Sequence, residues 1–560
     1  MKFTFCKITV LMFIFCVAGL QQANSENFSA KSSTAKAKAP VSEKPNWQAE
    51  LTPLTTGQRT VLEYWEENTT LPGPVLGELR TFNTQNTLAA SPSAGTKSMK
   101  EQRVLAESAT AEDVMIMRCR TVNGENILPN GSASNVMESS ISVSGRYVFY
   151  TGNWFAARST NSGFTWSYVN PYTDFGNFCC DQVTIYDESR FRMFWLRQGV
   201  PGTNPYTGNY ENEFWISVSH NRGATFYTYK FKPTDVNPEW TNEWFDYPHM
   251  QIGADFLYIT YNLFNQNSSW TRTMIFRLPL DSLADNKALN YSYFSATDWF
   301  TWVPIQGADH TMYWASNWPN SSPQNSRIRI YKWDEDSDVV SWATKDVPAW
   351  SFTRRGNALC GDSEGNWAAR YDQRILTGAQ YYIRNADMKI PGRKVIAWWW
   401  NVQEGGGFLN PYIDAAAFYE DTLTLVEGNQ GRPFIWDSET CFAYPSAAAN
   451  RRGDLGLVFH FSNGPEKNPS IGFAIVDDCI AAPPGFTYYA VRNSRARPTD
   501  EKWGDYNTVR LFGPCQNVWA AGSHYLPTAG NGTCCNAAEP VYFVFGRKRD
   551  QESWRRWKGK

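Results

Sequence analysis

Short apolar runs of about four to eight residues recur along most of this chain, separated by clusters of Gly, Asn, Asp and Pro. Between about residue 112 and residue 547 these runs are rich in Val, Ile, Phe, Tyr and Trp. Examples lie at 147–150, 180–187, 191–197, 256–261, 328–333, 394–400, 455–461, 518–521 and 541–545. Side chains of that kind fit a pleated, half-buried surface, and the intervening residues make tight turns. Amphipathic helices alternating with strands, the mark of a parallel α/β sheet, are missing. The strand-rich runs group into seven units of roughly 60 residues, within reach of propeller repeats once loops are added. The pattern therefore predicts an all-β protein, a β-propeller over 111–547, with seven blades favoured over six. Radial repetition also protects sheet edges that would otherwise pair with other chains. A pair of β-sandwiches is the competing arrangement, because alternation alone does not fix how sheets assemble.

The flanks read differently. Residues 1–25 carry Lys2 and Lys7, an apolar run at 8–20, and small residues at Ala18, Ala23 and Ser25, the layout of a secretory signal peptide. That run falls short of the roughly 20 residues that span a bilayer. Residues 26–110 form an Ala/Lys/Ser/Pro-rich linker, expected to be disordered, followed by a polar tether; residues 548–560 are a basic tail. The expectation is a secreted, or otherwise extracytoplasmic, protein with no membrane span.

Composition sharpens this picture in two places. Of 560 residues, 16% are aromatic and 19% charged, and the net charge of −2 gives no electrostatic case for nucleic acid. Beyond the signal, the cysteines are Cys119, Cys179, Cys180, Cys360, Cys441, Cys479, Cys515, Cys534 and Cys535. Export makes disulfides the expected state for most, and an odd number leaves one over. Sequons at Asn27, Asn68, Asn130, Asn267, Asn290, Asn320 and Asn531 predict a glycoprotein surface where the host glycosylates.

Two octapeptides share one template, Ser-x-Asn-x-Gly-x-Thr-aromatic. The first places Ser159, Asn161, Gly163, Thr165 and Trp166; the second, 60 residues on, places Ser219, Asn221, Gly223, Thr225 and Phe226. Each lies between strand-like runs and reads as a hairpin turn, with Asn bonding loop amides and Gly supplying a positive φ. The octapeptides resemble Asp-box (BNR) repeats, with Asn where that family usually has Asp. The resemblance implies a six- or seven-bladed, sialidase-like secreted β-propeller, active on glycans or binding them. The boxes themselves mark the fold and not the chemistry, since Asp boxes sit away from active sites in the family. Trp503-Gly504-Asp505-Tyr506 also looks like a blade-opening phrase of secreted propellers.

A sialidase-like site would need three Arg, a Tyr activated by Glu, and an Asp. The family's Arg-Ile-Pro phrase has only one look-alike, Phe276-Arg277-Leu278-Pro279, which follows both octapeptides and reads as a strand end. The catalytic residues are thus left unassigned. Asp181, Asp246, Asp309, Asp372 and Asp505 fall near the starts of strand runs and are candidates for a carboxylate ring around the channel mouth, with Ca²⁺ a possible ligand and the metal site otherwise unknown. Turn capping is the alternative role for each. From these, Asp181, Asp246, Asp372 and Asp505 are the ligand-binding candidates, with Arg370, two residues before Asp372, the charged partner. Trp398-Trp399-Trp400 offers rings for sugar faces, although alternation sends at least one into the core. The five His show no zinc-hydrolase spacing, and Gly405-Gly406-Gly407 lacks the Lys-Ser/Thr of a phosphate loop. The partner expected is a glycan or an extracellular protein ligand, with binding preferred and an exo-acting glycoside hydrolase the alternative.

Overall fold

A computed structural model describes residues 52–53, 62–63 and 80–82 and most of 114–550. The longest omitted stretches inside that span are 320–324, 351–359, 368–372, 384–391, 403–409, 427–432, 477–487 and 528–537. The signal peptide, most of the linker, Arg370, Asp372, Cys479, Cys534, Cys535 and the tail beyond 550 lie outside the described residues.

Among the described residues, seven antiparallel meanders follow one another along the chain. Their first strands are Ser140–Ser144, Phe178–Asp187, Trp244–Ile252, Val303–Gln306, Ile375–Ile383, Thr440–Ala449 and Thr508–Phe512. Each of these neighbours the first strand of the next meander, and the seventh neighbours the first, so they form a closed ring. Ile305 and Gln306 even pair in parallel with Gly378 and Ala379, joining meanders 4 and 5 directly. This ring makes the protein a β-propeller, and we read one blade in each meander. Val114–Thr121 supplies the outermost strand of meander 7, with Val541 opposite Thr121 and Phe543 opposite Cys119. The two ends of the domain thus close the ring. Cys119 is a buried thiol at that seam. Thr52–Pro53, Leu62–Glu63 and Arg80–Phe82 pair with outer strands of meanders 3, 2 and 6.

The apolar core lies between blades. Ile185, Phe214, Phe245, Leu263 and Phe276 join meanders 2 and 3, while Trp519, Phe543, Phe473 and Val458 join meanders 6 and 7. A strand inside such a stack buries both faces, so it reads as a nearly continuous apolar run. Trp398-Trp399-Trp400 shows the consequence. Trp398 and Trp400 pack toward meander 4 and Trp399 toward meander 6, and all three are buried. The indole N–H of Trp398 donates to Val303 O (2.9 Å) and that of Trp399 to Pro433 O (3.1 Å). None is available to stack on a sugar, which corrects that expectation.

The two octapeptides are the hairpins between third and fourth strands of meanders 1 and 2, and their bonding repeats almost atom for atom. Asn161 Oδ1 accepts from Thr165 N (2.9 Å) and Asn221 Oδ1 from Thr225 N (2.8 Å). Ser159 Oγ accepts from Gly163 N and Ser219 Oγ from Gly223 N, both at 2.8 Å. The amide nitrogens of Asn161 and Asn221 donate to Thr165 Oγ1 and Thr225 Oγ1 (2.8 and 2.9 Å). Gly163 and Gly223 have φ of 80° and 81°, where a Cβ is disfavoured. Trp166 packs edge-on against Tyr150 and Tyr542, and Phe226 against Phe149. An Arg from the preceding blade fastens each turn: Arg118 to Ser162 O and Arg158 to Arg222 O.

Candidate functional site

All seven inner strands begin at the same end of the channel, and polar side chains gather there. An amide from one meander clamps the start of the next in four consecutive cases. Asn212 Oδ1 accepts from Phe245 N (2.8 Å), Asn262 Oδ1 from Thr301 N (3.0 Å), Asn317 Oδ1 from Ile375 N (3.0 Å) and Asn401 Oδ1 from Tyr444 N (2.7 Å). These buried amides satisfy backbone groups that no ladder reaches. They also hold three residues in left-handed backbone, Tyr247 (φ 60°), Thr301 (φ 53°) and Tyr444 (φ 59°). For bulky side chains such a φ costs on the order of 1–3 kcal/mol and persists only where the surroundings impose it. Tyr247-Pro248 and Tyr444-Pro445 both sit at bulges, where the ladder register shifts from Asp246 to His249 and from Ala443 to Ser446.

The bulge at Tyr247 turns its ring over the mouth. Tyr247 lies 5.1 Å from Tyr506 in a near-parallel stack, and His249 packs edge-on to both rings. The Arg374 guanidinium lies 4.0 Å above the Tyr247 ring and donates to Thr301 Oγ1 (3.1 Å). Gln198 Nε2 donates to Asp246 Oδ1 (3.2 Å). Burial, reinforced by Asp181 and Asp246, holds the Tyr261 phenol well above its ordinary range. Burial does the same to Tyr506, reinforced by Tyr247, Asp181, Glu138 and Asp505. Both phenols are therefore neutral donors. Burial, with Arg374 adding to it, brings His249 down to about 3, so its imidazole is neutral in any physiological medium. Several buried polar atoms here lack a protein partner: Tyr261 OH, Tyr506 OH, His249 Nε2, Gln198 Oε1 and both side-chain ends of Gln373. In a native site such atoms call for water or a ligand.

Below the mouth the channel narrows to a cavity of about 60 Å³ lined by Gln182, His249, Gln306, Thr377, Asn507 and Arg510, among others. That is room for a few waters, not for a sugar ring. Arg510 crosses it, donating to Ile141 O and Thr184 O (both 3.3 Å) and to Gln306 Oε1. Burial brings its guanidinium down to about 10. A ligand would sit above this plug, at the mouth.

Of the acidic candidates, Asp181 and Asp246 act electrostatically on the buried Tyr261 phenol, and Asp181 and Asp505 on that of Tyr506. Asp309 does not: it opens the second strand of meander 4 and lies at the opposite end, because neighbouring antiparallel strands start at opposite ends. Arg374 and the Tyr247–Tyr261–Tyr506 group were missed; the Tyr-Pro repeated within two inner strands was the available signal. Among the described residues the mouth carboxylates are not gathered at metal-ligand spacing, so the Ca²⁺ ring finds no support there. The look-alike Phe276-Arg277-Leu278-Pro279 is a strand end, with Arg277 stacked on Trp333 and paired to Asp338 (2.8 Å). Cys179 and Cys180 are bonded to each other, immediately before Asp181.

No family model and no curated protein sequence matches the chain. Among solved structures it is similar to the NanB sialidase of Streptococcus pneumoniae at 9% identity and TM-score 0.36, covering 65% of this chain and 70% of that one. It is also similar to the α-L-arabinofuranosidase Arb93A of Fusarium graminearum, at 10% identity and TM-score 0.34, covering 76% and 99%. A Synechocystis apocarotenoid oxygenase gives 8% and 0.35, covering 63% and 71%. At such distances the propeller assignment rests on the ring of inner strands. Among the described residues, no helix is long and apolar enough to cross a membrane.

Proposed function

We propose that this is an exported, sialidase-like propeller that binds a glycan at the channel mouth. The observation that carries this reading is the convergence of Asp181, Asp246 and Glu138 around Tyr261 and Tyr506, beside Arg374. Carboxylates accept hydroxyl protons, and neutral phenols and amides donate to hydroxyl oxygens. Sialidase chemistry is less favoured. It needs a tyrosine that ionises and a three-Arg cluster, whereas both buried phenols are pushed up and Arg118, Arg158, Arg197 and Arg277 hold structural contacts elsewhere. A second reading, glycoside hydrolysis by a carboxylate pair, draws on Asp181 and Asp246 acting on the same phenol.

A glycan array followed by titration of the best ligand tests the binding reading. Asp181→Asn should weaken binding at least tenfold, the usual loss for a charge-assisted hydrogen bond, with its melting temperature little changed. Arg374→Ala should weaken binding too but also lower the melting temperature, because Arg374 is buried against Tyr247 and bonded to Thr301. An array without a hit, or variants that bind like the parent, would remove it. A screen on fluorogenic glycosides decides the second reading: turnover abolished by Asp246→Asn would establish hydrolysis.

A further inference from the structure

At the end of the channel opposite the mouth, turns of meanders 3 and 4 bring three ligating side chains together. Asp255 precedes Phe256–Phe264, His310 precedes Thr311–Ser316, and Glu335 follows Asn325–Asp334. One ligand atom from each lies within 4.8 Å of the other two. The Glu335 carboxylate is buried, and its Oε1 accepts from Tyr258 OH (3.3 Å) while Oε2 accepts from Asp255 N (3.0 Å). Its ion-pair partner is His310, whose Nδ1 lies 3.7 Å from Oε2. A buried carboxylate beside a second carboxylate is costly without a cation, and a single exposed imidazole is a weak one.

The orientation of His310 is the second observation. With Nδ1 turned to Glu335, its Nε2 faces Asp309 Oδ1 at 3.9 Å. At that distance the two do not hydrogen-bond, but a small rotation of either exposed side chain brings Asp309 onto Nε2 as the outer carboxylate of a carboxylate–histidine–metal relay, with Nδ1 left to ligate. The frame is built from backbone: Ala254 N donates to Asp309 O (3.1 Å) and Glu335 N to His310 O (2.8 Å). Gly253 is packed so closely that a Cβ there would collide with Glu335 Oε1. Ligands of a tetrahedral zinc stand roughly 3.3–3.6 Å apart, given bonds of about 2.0–2.2 Å. The exposed Asp255 and His310 side chains need to move by about 1 Å to reach that spacing. Arg190 holds Asp255 Oδ1 at 3.2 Å but is shared with Asp187 and Asp281.

We propose that Asp255, His310 and Glu335 bind a divalent d-block cation of the zinc type, completed by water, which clips blade 3 to blade 4 on the face away from the mouth. Imidazole with carboxylates suits such an ion, and His in the set disfavours Ca²⁺ or Mg²⁺. The full chain, stripped with chelator, is titrated with Zn²⁺ by calorimetry and with Co²⁺ by visible absorption. The expected result is a site occupied once per chain, with a raised melting temperature. His310→Ala should weaken it at least tenfold without changing the metal-free melting temperature, because the ring is exposed. Asp309→Asn, which touches no metal, should weaken it by about tenfold. Failure to bind at millimolar Zn²⁺, equal affinity in His310→Ala, or preference for Ca²⁺ over Zn²⁺ would overturn the proposal.

Discussion

Glu539 shows how one side chain ties stability to pH. It sits beside the closing strand, accepts from Asn123 N (2.9 Å), and burial pushes its carboxyl up to about 7 from an ordinary 4.5. An acid whose folded value is raised favours folding most when protonated. Its contribution is complete below pH 4.5, falls as pH rises toward 7, and is a constant penalty above that. Glu539→Gln keeps the acceptor and removes the charge. It should raise stability by about 1–3 kcal/mol at pH 8 and leave it unchanged at pH 4, read as melting temperature at the two pH values. An equal effect at both would show that charge is not the cause. Single residues were only partly legible beforehand. Asp181 and Asp246 lie near the starts of inner strands and Asp505 just before one, which is as much as strand rhythm can say of them. Asp309 looked the same in sequence, yet the strand it opens runs the other way. Arg374 was hidden because its role depends on a tyrosine over a hundred residues away.

Among whole elements, the octapeptide turns were the most legible, because their bonding is local: Ser159, Asn161 and Thr165 meet within a single hairpin. Asn replaces the more usual acidic residue while keeping the acceptor that closes the loop. It adds an amide donor to Thr165 Oγ1 that a carboxylate would lack. Asn161→Asp should therefore stay within about 1 kcal/mol of the parent, whereas Asn161→Ala should cost about 1–2 kcal/mol by leaving Thr165 N without its acceptor. Urea denaturation of both variants checks this, and equal losses would mean that the acceptor is not what holds the turn. The bulged starts at Tyr247 and Tyr444 were not legible. Their conformation is imposed by Asn and backbone groups of neighbouring blades, which no window of local sequence contains.

Closure of the ring is a property of the whole molecule. Strand rhythm predicts repetition, but it does not say which strand completes the last sheet; Val114–Thr121 does so from the opposite end of the domain. Seven of its residues pair with Val541–Arg547, and Arg118 continues from that strand to the first octapeptide turn. Closure therefore completes meander 7 through a ladder and ties it to meander 1 through a guanidinium. A chain beginning at residue 124 would lose both. Its newly exposed edge, with Val541, Phe543 and Phe545 on a β-rich strand, would be a template for pairing with other chains. Such a chain should aggregate or melt many degrees lower, while one beginning at residue 111 should remain monomeric and fold. Adding a peptide of residues 111–123 to the truncated chain should restore solubility, because the missing ladder is continuous and local to that segment. Size-exclusion chromatography of the three samples decides it. A soluble, cooperatively folded chain without residues 111–123 would show that the inner ring and Arg510 suffice to hold the seven sheets together.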